Sequence, residues 1–157
     1  MSITPAALAG ALRCGQARLH AAIWPRSVAL ALLVAALLLL VVGDSPSVPA
    51  VLLWVACLGA ALVVRGVVGW RHRRAGLPDE EAATWLKRHR AAFLLHGLAW
   101  ALASVLFAGR VSNPQLELMS FALTAITAAS LVVTAFDLLA AFCFAVPALA
   151  PLIVALL

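Results

Sequence analysis

From Val28 to Val42 every residue is Ala, Leu or Val. With Pro25, Arg26 and Ser27 ahead of it, the segment approaches the ~20 residues that an α-helix needs to cross a bilayer. Four more apolar stretches follow, at about 49–68, 91–108, 115–136 and 138–157. No water-soluble domain of this size could cover five such segments. Hydrophobic residues make up 66% of the 157 and charged residues only 11%, and the mean hydropathy of +1.11 lies far outside soluble composition. The pattern predicts an all-α, polytopic helical membrane bundle of about five transmembrane helices, with the lipid bilayer as its first partner.

The one strongly charged run, Arg65 to Trp100, lies between the second and third spans. The second helix is expected to leave the membrane and continue in water through Trp70-Arg71-His72-Arg73-Arg74. Gly76 and Pro78 supply a stop, and Asp79-Glu80-Glu81 place negative charge at the start of the next helix. That helix carries Trp85, Lys87, Arg88 and Arg90 before it enters the bilayer near Ala91. Arg65, near the end of the second span, is expected to snorkel to the headgroups, because a charge at the bilayer centre costs ~2.5–3.5 kcal/mol or more. Gly43-Asp44-Ser45-Pro46-Ser47 and Gly109-Arg110-Val111-Ser112-Asn113 are short turns that force antiparallel neighbours, and Asn113-Pro114 opens the fourth span.

Ahead of the first span, Thr4-Pro5 is a helix start, with Thr as cap and Pro in the first turn. Ile3, Ala7, Leu8, Ala11, Leu12, Leu19 and Ile23 share an apolar side, while Arg13, Gln16 and His20 are polar. This predicts an N-terminal interfacial helix over residues 1–24, lying on the membrane surface and distinct from the bundle of 25–157. Several spans follow the first, which argues for a retained helix over a cleaved signal peptide.

Ten of the eleven Lys and Arg residues lie in the amino-terminal segment, at the end of the second span or in the central hairpin, and only Arg110 falls in an outer turn. The positive-inside rule therefore puts the amino terminus and the hairpin in the cytoplasm. The same distribution argues against nucleic acid as the partner of a +5 chain, since the basic residues flank apolar spans and line no polar face. Cys14, Cys57 and Cys143 have no CxxC spacing and are expected to be reduced.

Few residues offer chemistry. His96, Trp100 and Ser104 follow one another at helical spacing in the third span, as a sensing group or as a histidine bonded to a neighbouring helix. Ser120, Thr124, Thr127, Ser130 and Thr134 occupy about a third of the fourth helix, as a packing seam or a polar cavity lining. Asp137 is expected to cap the fifth helix, within reach of a hairpin Arg or Lys. Pro147 and Pro151 should kink that helix and could act as a hinge. His72 and His89 flank the hairpin turn, but no cysteine or carboxylate completes a metal set, so neither metal nor cofactor is expected. No phosphate loop, nucleophile elbow, paired catalytic carboxylates or HExxH appears, so no enzyme activity is expected of this stretch.

Residues 85–107, WLKRHRAAFLLHGLAWALASVLF, and 116–157 carry a resemblance. Trp85 with Lys87-Arg88, the Gly-x-x-Trp of Gly97 to Trp100, the aromatic pair Phe142 and Phe144, and the Pro-x-x-x-Pro of Pro147 and Pro151 are similar to the multi-helix membrane input region of bacterial sensor histidine kinases and diguanylate cyclases. The resemblance departs in the fourth span, where relatives often carry Gly and this chain has Thr127 and Ser130. It implies a transmembrane sensory module in the bacterial inner membrane, a homodimer, and an unknown small-molecule or membrane signal passed to a cytoplasmic output. It also implies a sixth helix before that output, in keeping with an expectation that the chain, ending in the apolar run Pro151 to Leu157, is a fragment. The alternative is a freestanding membrane protein, acting as a subunit of a complex or as a small transporter.

Overall fold

The computed structural model describes residues 4–43, 46–76 and 81–157. Five helices make up nearly all of them, and no strand occurs among the described residues: α1 (Pro5–Val42), α2 (Val48–Arg74), α3 (Ala82–Phe107), α4 (Asn113–Val133) and α5 (Leu138–Leu156). A 3-10 turn at Ala108–Arg110 follows α3. All five helices are long and apolar enough to cross a membrane. The chain is a helical membrane bundle. Three expectations fall outside the described residues: Ile3 on the first helix, Asp44-Ser45 in the first turn, and Pro78-Asp79-Glu80 in the hairpin.

α3 is the central helix. It packs against α1, α2 and α5, whereas α4 leans on α1 and α5. In its most apolar window 56% of residues are buried, against 22% to 28% in the other four. The outer surfaces of those four meet the solvent that this fold requires, lipid. Leu40, Phe121 and Val132 are 76–79% exposed, which would be a liability in water. Inside, the Trp54 ring meets Trp100 and Phe107 edge-on at 5.7 and 5.6 Å. The Trp54 indole N–H donates to Ala99 O at 3.0 Å, so this aromatic cluster buries no unpaired polar atom on Trp54.

The amino-terminal segment differs from its expectation. Residues 5–42 form a single helix with Pro25 inside it, in place of a surface helix followed by a span. At 38 residues α1 is roughly 57 Å long by its rise per residue, well beyond a ~30 Å hydrocarbon core. Its first half docks on the hairpin end of the bundle, where Ala17 packs with Trp85 and Leu86. The physical reason lies in what proline removes. Pro25 has no N–H to give to Ala21 O, the acceptor one turn earlier. Arg73 of α2 fills that place: its Nε donates to Ala21 O at 2.8 Å and its Nη2 to Ala22 O at 3.4 Å. The helix therefore passes its proline with the freed carbonyl satisfied.

The ends of the other helices follow local rules with one shift. Gly43 (φ 57) and Gly76 (φ 72) take the positive φ that a glycine adopts without a Cβ penalty, just past the ends of α1 and α2. α4 is capped by Ser112, one residue before the expected Asn113, and the Ser112 N–H donates to Gln115 Oε1 at 2.9 Å. Gln115 Nε2 in turn donates to Val41 O and Val42 O at 3.2 and 3.1 Å, tying the start of α4 to the end of α1.

α5 runs unbroken from Leu138 to Leu156 through Pro147 and Pro151. It meets α3 at Gly97, where a Cβ would stand 2.5 Å from Phe144 O and 2.8 Å from Pro147 Cγ. The Gly97 position and the first proline of α5 thus form one close contact. Gly97→Ala is expected to lower stability by about 1–3 kcal/mol, because the obstructing atom is backbone. Gly59→Ala, whose methyl meets nothing within 4 Å, should be neutral or slightly stabilising; thermal unfolding in detergent compares the two. For α1, Arg73→Met should cost about 1 kcal/mol and clearly less in a Pro25→Ala background, where residue 25 regains the N–H for Ala21 O. Equal costs in both backgrounds would assign Arg73 a role other than capping that carbonyl.

Candidate functional site

Polar residues that the sequence spreads over about 120 positions meet inside the hairpin half of the bundle. On α3, His89, Phe93, His96 and Trp100 fall at i, i+4, i+7 and i+11, which is one face of a helix. On α2, Arg65, Gly69 and His72 share a face in the same way, and both faces turn inward. α1 adds His20, and the short link between α4 and α5 adds Asp137. All four histidines of the chain are buried, none more than 4% exposed.

Asp137, at 2% exposure, is the anchor. Its Oδ2 accepts from His20 Nε2 at 3.0 Å. Arg90 grips both oxygens, with Nε and Nη2 contacts between 2.9 and 3.2 Å. The Ala140 N–H donates to Oδ1 at 3.3 Å, so the carboxylate also caps α5. Asp137 thus caps α5 and pairs with Arg90 at the same time. Beside them Gln16 Nε2 donates to Phe136 O at 2.6 Å. Burial alone pushes the Asp137 carboxyl up. The hydrogen bonds from Arg90, His20 and Ala140 and the Arg90 charge outweigh it and hold the group below its ordinary value.

From Asp137 a track of rings leads to the hairpin. His20 stacks on His89, centroids 5.1 Å apart and nearly parallel. His89 Nε2 lies 3.0 Å from His72 Nδ1, a single hydrogen bond with one proton between two nitrogens. His72 stacks on Trp85 at 4.6 Å, and the Arg88 guanidinium lies 4.6 Å from the same indole. The His72–His89 pair that flanks the turn in sequence is thus in direct contact. Among the described residues no three His, Cys, Asp or Glu side chains converge as metal ligands would.

A second branch runs deeper. Arg65, expected to snorkel outward, is 5% exposed and points into the bundle. Its Nη1 lies 2.8 Å from His96 Nδ1, its Nη2 donates to Ser27 Oγ at 2.6 Å, and its guanidinium covers Phe93 at 4.2 Å. Three inward partners replace the headgroup contact, which is the physical reason for the reversal. Trp100 Nε1 approaches His96 from the other side, 3.0 Å from Nε2. Arg and Trp can only donate, and a neutral imidazole has one accepting nitrogen. Two donors therefore compete for one acceptor at His96. Between the branches, His20 Nδ1 and Trp24 Nε1 are buried without partners. Both residues line a small enclosed cavity with Arg65, His89 and Phe93, with room for about one water molecule.

The remaining candidates scatter. Ser104 is buried with its hydroxyl unpaired. On α4, Thr124 is exposed, Thr127 and Thr134 are buried, and Ser120 and Ser130 are half-buried. The hydroxyls of Ser120, Thr127 and Thr134 donate to carbonyls of their own helix four residues back, at 2.7, 2.8 and 2.6 Å. They bridge no helices, and Met119, Leu123 and Ile126 fill the α4 contact instead. Arg71, Arg74 and Lys87 are exposed on the hairpin helices. The residues that sequence reasoning missed are His20, Gln16 and Ser27. Their shared signal is a position within about two and a half turns of Pro25, on the helix face that also carries the buried Ala17 and Ala21.

Asp137→Asn keeps the shape and the cap acceptor but removes the charge that faces Arg90 and His20. Losing one partner of a buried pair costs ~3–5 kcal/mol, and the Arg90 side chain is 26% exposed, so the expected loss is about 2–4 kcal/mol once solvent screening of Arg90 is allowed for. Because the folded carboxyl titrates below its unfolded counterpart, this stabilisation is present above about pH 4 and fades as pH falls through the lowered value. Detergent melting curves of wild type and variant should therefore converge on acidification. Comparisons with protein-family models, with curated proteins and with solved structures find no match.

Proposed function

We propose that the chain is a transmembrane input module of a bacterial signalling protein, embedded in the inner membrane with its amino terminus and Arg-rich hairpin in the cytoplasm. It senses a membrane or periplasmic signal and passes helix displacement to a cytoplasmic histidine kinase or diguanylate cyclase, working as a homodimer. The observation that carries this reading is the buried track from Trp85 through His72, His89 and His20 to Asp137. It touches α1, α2, α3 and the base of α5 at the end where an output would connect.

A signal acts on a bundle only through its different affinity for two packings. Apolar contacts between helices shift gradually, but hydrogen bonds in a low-dielectric interior are made or lost. The competition at His96 supplies one such choice, since the acceptor nitrogen serves either Arg65 of α2 or Trp100 of α3. Each choice holds α2 against α3 differently. This favours a module that changes state over a passive anchor.

The reading frame beyond codon 157 is the direct test. An in-frame sixth span leading into a kinase or cyclase module is the expected result. A stop codon at that point overturns the reading in favour of a freestanding subunit. Orientation is checked separately with a single cysteine at Ala75 in a background lacking the native thiols. Labelling only after the inner membrane is opened is expected, and labelling from the periplasm would invert the topology.

A further inference from the structure

Outside the buried track, the inner end of the bundle carries an open groove of about 620 Å³ between α2 and α3. That volume lies within the range of roughly 300–1,000 Å³ found for small-molecule sites. Its walls include Val67, Trp70, Arg71, Arg74, Trp85 and Arg88. We infer that this groove binds the headgroup of an anionic phospholipid, with the phosphodiester held between Arg71, Arg74 and Arg88. The inference deepens the function proposed above and relies on it for the cytoplasmic placement of the hairpin.

Three features select this occupant. First, charge: three guanidinium groups line one wall system, and no hydrogen bond or ion pair joins them to a carboxylate among the described residues. Second, geometry: Arg74 lies 4.3 Å from the Trp70 ring centroid and Arg88 4.6 Å from that of Trp85. Stacking occupies the face of a guanidinium and leaves its in-plane N–H groups free, which is the arrangement that grips phosphate oxygens two at a time. Third, depth: Val67 lies at the end of the second apolar stretch, and Arg71 and Arg74 stand one and two turns beyond it on the same helix. The half-exposed Trp70, just before Arg71, is the residue type that gathers at membrane interfaces. A soluble phosphate would have no use for the apolar edge at Val67, whereas a lipid places its glycerol and first methylenes there.

The groove also shares a wall with the candidate site. Trp85 lines the groove and stacks on His72, the first ring of the track to Asp137. A headgroup gripped by Arg88 therefore places its phosphate one indole away from His72. Basic pockets between helices at the cytoplasmic side are suited to anionic headgroups on electrostatic grounds alone, and here the pocket wall is the end of a polar relay.

The test uses the full chain purified in mild detergent. It is mixed with equal amounts of phosphatidylglycerol and phosphatidylcholine of matched acyl chains, and retained lipid is read by native mass spectrometry. Preferential retention of phosphatidylglycerol is expected. In Arg71→Gln/Arg74→Gln, both exposed positions whose replacement should leave the fold intact, retention should weaken roughly tenfold. Arg13→Gln/Arg26→Gln removes the same charge from exposed positions on α1 and should retain the lipid as wild type does; matching melting curves confirm that each protein is folded. Arg88→Gln, outside α2, provides an independent second loss. Equal retention of the two lipids, or an equal loss in the α1 control pair, overturns the site. Complete displacement of phosphatidylglycerol by millimolar inorganic phosphate overturns the lipid as its occupant in favour of a soluble anion. The assay needs no output domain, so a failure here leaves the input-module reading standing, and a stop codon after 157 leaves the lipid site standing.

Discussion

A carboxylate buried in a helical bundle has to be answered by charge and by hydrogen-bond donors, and Asp137 receives four: two from Arg90, one from His20 and one from the backbone of α5. Each donor belongs to a different constraint on the fold. Arg90 fixes α3 in register with the α4–α5 link, His20 pulls the amino-terminal half of α1 onto the bundle, and the Ala140 N–H sets where α5 begins. Remove the charge and the same donors lose the acceptor that draws them together. That dependence is what makes the hairpin end of the molecule a defined arrangement, where apolar contacts alone would tolerate sliding.

The consequences reach along α1. Once His20 is drawn to Asp137, its neighbours Ala17 and Ala21 are pressed against the bundle, and the small side chains there allow the close approach. Trp24, one turn on, lies over Gly69, where a Cβ would stand 2.4 Å from the indole. The Gly69 surface, the Trp24 ring and the Arg73 cap on the Pro25-freed carbonyl are therefore parts of one α1–α2 contact. A proline that in water would invite a bend is held within a single helix because the missing donor arrives from the neighbouring helix.

Much of this architecture was legible as lengths and charges. The five apolar segments, the antiparallel turns, the continuation of α2 to Arg74 and the stop at Gly76 all follow from composition and from residue types whose backbone preferences are strong. Side-chain direction was not legible. Arg65 near the end of an apolar run can escape lipid either by pointing out to headgroups or by pointing in toward His96, and only the presence of Ser27, Phe93 and His96 across the interface decides it. His20 reads as the polar side of a surface helix until Asp137, 117 positions later, is placed beside it. The α4 hydroxyls illustrate the converse: their spacing suggests a shared purpose, yet those of Ser120, Thr127 and Thr134 find acceptors in their own helix, a local option that periodicity does not reveal.

Histidine suits the track for a reason that Asn or Gln would not meet. An imidazole offers a flat face for stacking and two edge nitrogens whose roles are linked, since in the neutral ring a proton on one leaves the other to accept. At His20 the carboxylate of Asp137 settles the proton on Nε2, which makes Nδ1 the accepting edge toward the small cavity. Between His72 and His89 a single proton serves both rings, so the tautomer of one dictates that of the other. At His96 the obligate donors Arg65 and Trp100 leave the choice open. The hairpin end of the bundle thus combines one nitrogen whose role is set, one pair whose roles are tied together and one ring whose role is contested, and the contested ring is the one that lies farthest from the hairpin along α3.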